Sequence, residues 1–132
     1  MPTIDFTQED VLRGTVVQPA WYRVQIGPFA EVMNKNGDAT NYTFNDSKII
    51  KEADSGDTKY AGVPLRILFS SKPTAKGFLK GFIEALGMEV KPGVRFEISN
   101  AAGKFIDILV ENEMYEGRMI NRVNHKYRKP RE

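Results

Sequence analysis

The stretch that decides the fold runs Lys104-Phe105-Ile106-Asp107-Ile108-Leu109-Val110-Glu111-Asn112-Glu113-Met114-Tyr115, then Glu116-Gly117, then Arg118-Met119-Ile120-Asn121-Arg122-Val123-Asn124-His125-Lys126-Tyr127. Ile106, Ile108 and Val110 fall on one face by their two-residue spacing, so Phe105 to Tyr115 reads as a strand. Met119, Asn121, Val123, His125 and Tyr127 alternate with Arg118, Ile120, Arg122, Asn124 and Lys126, a second strand of the same kind. Glu-Gly between two such runs is turn chemistry, and the whole is a hairpin. It leads into the basic tail Arg128-Lys129-Pro130-Arg131. From Gly117 onward six cations face one carboxylate, a net +5, whereas the whole chain carries +2 and the remainder is therefore −3. A near-neutral total conceals a polarised molecule.

With 132 residues, 41% apolar and 27% charged, the chain has the size of one domain with a substantial core. The absence of cysteine excludes disulfides and thiolate metal sites. The acidic N-terminal run Met1-Pro2-Thr3-Ile4-Asp5-Phe6 lacks the basic and apolar segments of a signal peptide, and no stretch is long and apolar enough for a membrane span. The expectation is a soluble protein of the cytoplasm.

Upstream of the hairpin, residues 1–18 form a polar leader, and Ala20 to Ile26 alternates as a first strand with Tyr22, Val24 and Ile26 on one face and Trp21, Arg23 and Gln25 on the other. Gly27-Pro28 interrupts this run before Phe29 to Met33 resumes, which suggests a bulge or sharp bend. Asn34 to Asp38 is a turn. A second, polar strand from Thr40 to about Ile50 carries Tyr42 and Phe44 on one side. Lys51 to Lys59 has no apolar anchor and reads as an exposed, mobile loop. Val63, Leu65, Ile67 and Phe69 mark a third strand. Pro73 opens a helix in which Phe78, Leu79, Phe82, Ile83 and Leu86 recur at helical spacing until Gly87. Gly77 and Gly81 fall opposite that stripe. Arg95 to Ala102 fits a short strand or a single helical turn ended by Gly103, with the helical turn favoured. The order strand, strand, strand, helix, strand, strand predicts an all-β fold, a five-stranded OB-type barrel with its helix between strands 3 and 4, as a single domain over 1–132.

Arg118, Arg122 and Lys126 are spaced four apart on one strand face, at intervals of ~13 Å, a line that a phosphate backbone can follow. The same cations also fit a solvated edge strand. Trp21, Tyr42, Phe44, Tyr60 and Tyr115 lie near polar neighbours or turns, where flat rings can stack the bases of a single strand. Arg23 beside Trp21, Arg66 on the third strand, Arg128 in the tail, and Lys35, Lys48 and Lys72 would extend the basic surface. These fourteen residues make up the expected nucleic-acid-binding set. Asn121 fits a buried hydrogen-bonding role. Catalysis has little support: His125, the only histidine, is phased with apolar residues, Ser70-Ser71-Lys72 lacks an oxyanion motif, and Glu111, Glu113 and Glu116 show no metal-ligand spacing. The residues suggest neither a cofactor nor a metal.

Three blocks resemble bacteriophage-encoded OB-fold single-stranded-DNA-binding proteins. They are Trp21-Tyr22-Arg23-Val24 with Asn34-Lys35-Asn36-Gly37; Phe78-Leu79-Lys80-Gly81-Phe82-Ile83-Glu84-Ala85-Leu86-Gly87; and Gly103-Lys104 through Tyr115-Glu116-Gly117-Arg118 to Val123. The resemblance implies a non-enzymatic, sequence-nonspecific single-stranded-DNA-binding protein of phage replication and recombination, with RNA as an alternative ligand and with homo-oligomers or phage replication proteins as partners. The basic end differs from the acidic, partner-recruiting tail of bacterial single-stranded-DNA-binding proteins. A protein-binding or virion-structural module built on the same barrel is the competing expectation.

Overall fold

The computed structural model describes residues 3–33, 35–37, 39–72, 76–93 and 97–130, apart from the side chain of Glu9. Asn34, Asp38, Pro73, Arg95 and Arg131, which entered the sequence reading, lie outside the described residues. Six strands, β1 (Ala20–Gln25), β2 (Phe29–Met33), β3 (Thr40–Glu52), β4 (Pro64–Ser70), β5 (Phe105–Tyr115) and β6 (Arg118–Arg128), make one antiparallel sheet. Its order is β2-β3-β1-β5-β6, with β4 on the other edge of β3. Among the described residues the helices are α1 (Gln8–Arg13) and α2 (Lys76–Ala85), with a 3-10 turn at Ile98–Ala101. No ladder joins β4 to β6, so the sheet is open where a closed barrel was expected.

The curl of the sheet originates in two interruptions that touch. β2 pairs with β3 from Thr40 to Phe44 and β1 pairs with it from Lys48 to Glu52, so β1 and β2 follow one edge of β3 and are separated by the bend at Gly27-Pro28. Opposite that bend β3 carries a bulge: Phe44 pairs with Ile67 and Ser47 with Leu65, leaving Asn45 and Asp46 against Arg66 alone. Asp46 takes a positive φ of 56° there. The extra residue shifts the parity, so Phe44, Ser47 and Ile49 are all buried although an unbroken strand would place Phe44 and Ile49 on opposite faces. Ser47 fastens the corner. Its hydroxyl donates to the Phe44 carbonyl and accepts from the Gly27 N–H, each at 2.9 Å.

The core lies on the inner face. Tyr22, Val24 and Ile26 meet Ile106, Ile108 and Val110 of β5 and Leu65, Ile67 and Phe69 of β4, and α2 covers them with Phe82 and Ala85. Gly87, at φ 86°, ends α2: the Met88 N–H reaches the Ile83 carbonyl and the Gly87 N–H reaches the Glu84 carbonyl.

The structure departs from the expected architecture at four places. Phe29 to Met33 is a separate edge strand, because the bend breaks the ladder, so the described residues form six strands and α2 follows the fourth. The leader contains α1, started by a capping box in which Thr7 Oγ1 accepts from the Asp10 N–H and Asp10 Oδ2 accepts from the Thr7 N–H. These bonds hold the Asp10 carboxyl below its ordinary value. Residues 51–59 begin as strand and continue as a hydrogen-bonded turn, with Glu52 N–H on the Asp57 carbonyl and Ala53 N–H on the Trp21 carbonyl. On β6, two extra residues sit between the pairs Leu109–Asn124 and Ile108–Tyr127, so the regular spacing read from Arg118 to Lys126 is broken at His125-Lys126.

Two glycine substitutions should act in opposite directions. A Cβ on Gly27 would lie 2.1 Å from the Asn45 carbonyl oxygen, so Gly27→Ala should destabilise by ~3 kcal/mol or more in denaturant melts. Gly81 lies in open space, and Gly81→Ala should stabilise by ~1 kcal/mol through helix propensity.

Candidate nucleic-acid interface

Arg66 and Arg118, far apart in sequence, line one groove together with Arg13. β4 supplies Arg66 opposite the β3 bulge, β6 supplies Arg118 directly after the hairpin turn, and the last turn of α1 supplies Arg13. The groove fills the space between the open edges of β4 and β6, floored by Thr15, Val16, Leu65 and Asn121. Asn121 holds the floor in place: its Oδ1 accepts from the Val17 N–H and its Nδ2 donates to the Thr15 carbonyl, both at 2.9 Å, as a neighbouring strand would. Asp46 partly offsets the charge through an ion pair to Arg13 at 3.4 Å, with both side chains about half exposed. Three guanidinium groups on an open cleft can hold phosphates or other anions with forked hydrogen bonds.

A second set of expected residues also comes together, but around a carboxylate. On the outer face of the sheet Arg23 of β1 pairs with Asp107 Oδ1 of β5 at 3.2 Å, and Asp107 is buried. Arg128 reaches the other oxygen of Asp107 at 3.6 Å and pairs with Asp54. Its guanidinium also lies 4.5 Å from the centre of the Trp21 ring. Arg23 and Arg128 thus share Asp107, with Trp21 against Arg128, although Arg128 Nε is buried without a hydrogen-bond partner among the described residues. One face of the tryptophan is covered by the cation expected to flank a stacked base.

The remaining expected residues are dispersed. Phe44 is a correction, since it is fully buried against Phe29 and Phe82 and is a core residue. Tyr42 is half-buried and stacked on Phe29, and Tyr60 packs edge-on against Tyr22 with Lys59 over its ring. Lys35 and Lys72 are exposed at turns, and Lys48 is half-buried on β3. Arg122 is exposed and 3.8 Å from Glu113, Lys126 is exposed within the β6 irregularity, and Tyr115 is half-exposed as the ladder partner of Arg118. Arg13 was missed. Thr7-Gln8-Glu9-Asp10 is the sequence signal that would have revealed its helix.

His125 stacks between Phe78 and Phe69, and its Nδ1 lies 2.7 Å from the Tyr127 hydroxyl. Burial first, and the Arg122 charge second, lower its pKa below 6.5. The unfolded chain therefore binds the proton more readily. Stability should be intact above pH 6.5 and fall as pH drops from there through the lowered value, a slope that His125→Gln should remove from melting curves. Asp107→Ala should lower stability in denaturant melts, because it removes the buried carboxylate that Arg23 and Arg128 share.

Among the described residues no group of three or more histidine, aspartate or glutamate side chains could hold a metal, and no helix is long and apolar enough to cross a membrane. Neither the family models nor the curated proteins compared with this chain match it.

Proposed function

We propose that this chain is a phage-type single-stranded-DNA-binding protein that holds the strand by its phosphates, without sequence preference and without catalysis. The observation that carries this reading is the convergence of Arg13, Arg66 and Arg118, from three separate elements, on the groove between β4 and β6. Counting β1 and β2 as halves of one bent strand, the element order matches a five-stranded OB barrel with an unpaired seam, and the groove lies along that seam. Because most of the expected rings are packed into the protein, phosphate contacts dominate and base stacking contributes little. Replication and recombination in the host cytoplasm is the setting that fits, with RNA a second candidate ligand and phage replication proteins candidate partners.

Anisotropy of labelled, unrelated oligonucleotides titrated at several salt concentrations tests this. The logarithm of the binding constant should fall with the logarithm of salt by about 0.7 for each phosphate held. Arg66→Ala with Arg118→Ala should lower affinity about equally for all sequences and flatten that slope by ~1.4. Salt-independent affinity, or no binding to poly-dT, would sink the proposal. A protein-binding or virion-structural role would then stand, favoured by the exposed Met114, Tyr115, Met119 and Ile120 of the hairpin.

A further inference from the structure

The β5–β6 hairpin extends beyond the core: residues 112–120 are all exposed, and Tyr115 and Ile120 retain 51% and 37% of their accessible surface. A two-stranded ribbon carrying exposed apolar side chains is marginal in water without a covering layer. Its outer face has an ordered charge pattern. β5 presents Glu111, Glu113 and Tyr115 in one column, and β6 presents their ladder partners Arg122, Ile120 and Arg118 in the other. Residues 111–122 hold three carboxylates against two guanidinium groups. On the outer face itself Glu111 and Glu113 balance Arg118 and Arg122, so no net positive charge draws a polyanion there and nucleic acid is not the occupant this face suits.

A two-fold interface must be complementary to itself. Rotation about an axis parallel to the hairpin lays the β5 column of one copy over the β6 column of the other. Glu111 then meets Arg122 and Tyr115 meets Arg118, each contact occurring twice. Rotation about an axis across the strands instead sets carboxylates against carboxylates. Only the first arrangement gives a column of negative charge a column of positive charge to face.

We propose that the outer face of the β5–β6 hairpin is an interface between two copies of this chain, related by a two-fold axis parallel to the hairpin. In that dimer each Arg122 sits between Glu113 of its own chain, already 3.8 Å away, and Glu111 of the second copy. Tyr115 and Ile120 supply the apolar contact. Arg118 and Ile120 also line the groove between β4 and β6, so self-association is measured without nucleic acid and its outcome is separate from whether that groove binds any.

Sedimentation velocity of the whole chain should show a dimer that weakens with salt. Glu111→Arg alone and Arg122→Glu alone should each sediment as monomers, and an equimolar mixture of the two should form a heterodimer, because each then offers the charge the other lacks. Tyr115→Ser, which keeps every charge, should weaken the dimer and serves as the test if either charge variant fails to fold by circular dichroism. A wild-type protein that is monomeric at every soluble concentration overturns the proposal. So does a dimer that Tyr115→Ser leaves intact, or a mixture of folded variants that stays monomeric. A monomer whose oligonucleotide affinity falls with Arg122→Glu and rises with Glu111→Arg also overturns it and assigns the face to nucleic acid.

Discussion

The backbone contact between Gly27 and the β3 bulge is the constraint on which the remaining structure depends. Two strands must bend at the same place if a six-stranded sheet is to curl around one core. The bend in one strand enters the space opened by the bulge in the other, and no side chain fits between them. Ser47 then satisfies polar groups that the broken ladder leaves behind, so the corner is buried without an orphaned donor. The parity shift at Asn45-Asp46 follows from this geometry, and with it the delivery of Phe44 and Ile49 to the same core.

The same corner sets the position of the candidate interface. Arg66 lies opposite the bulge, and Asp46, held at a positive φ by it, pairs with Arg13. The curl brings the edges of β4 and β6 towards each other without pairing them, and the space between becomes a cleft lined by arginine. Asn121 occupies part of the seam by hydrogen-bonding the segment after α1 as an added strand would. The groove is therefore a by-product of incomplete closure, and its charge comes from residues that no single strand carries.

Much of the architecture was legible from alternation and turn chemistry. The buried Ile106, Ile108 and Val110, the buried Val63, Leu65, Ile67 and Phe69, the hairpin at Glu116-Gly117 and the Gly87 helix stop follow from short-range pattern, where side-chain phase is set by backbone period. The 3-10 turn at Ile98–Ala101 and the hydrogen-bonding role of Asn121 were legible for similar reasons. Phe44 was read as a candidate ring because its neighbours are polar, yet the bulge rather than composition decides which way it faces. Trp21, Arg23 and Arg128 were chosen for charge and flatness, and what they gather around is Asp107, a partner on a strand more than eighty residues after β1.

Sequence alone determined the local elements, their phase and the polarised charge, since each depends on residues within one strand or turn of each other. Tertiary structure decided which cations close around a buried carboxylate and which line a common cleft. That choice depends on the curl of the sheet, which brings Arg13, Arg66 and Arg118 to one groove and shuts Arg23 and Arg128 around a buried carboxylate.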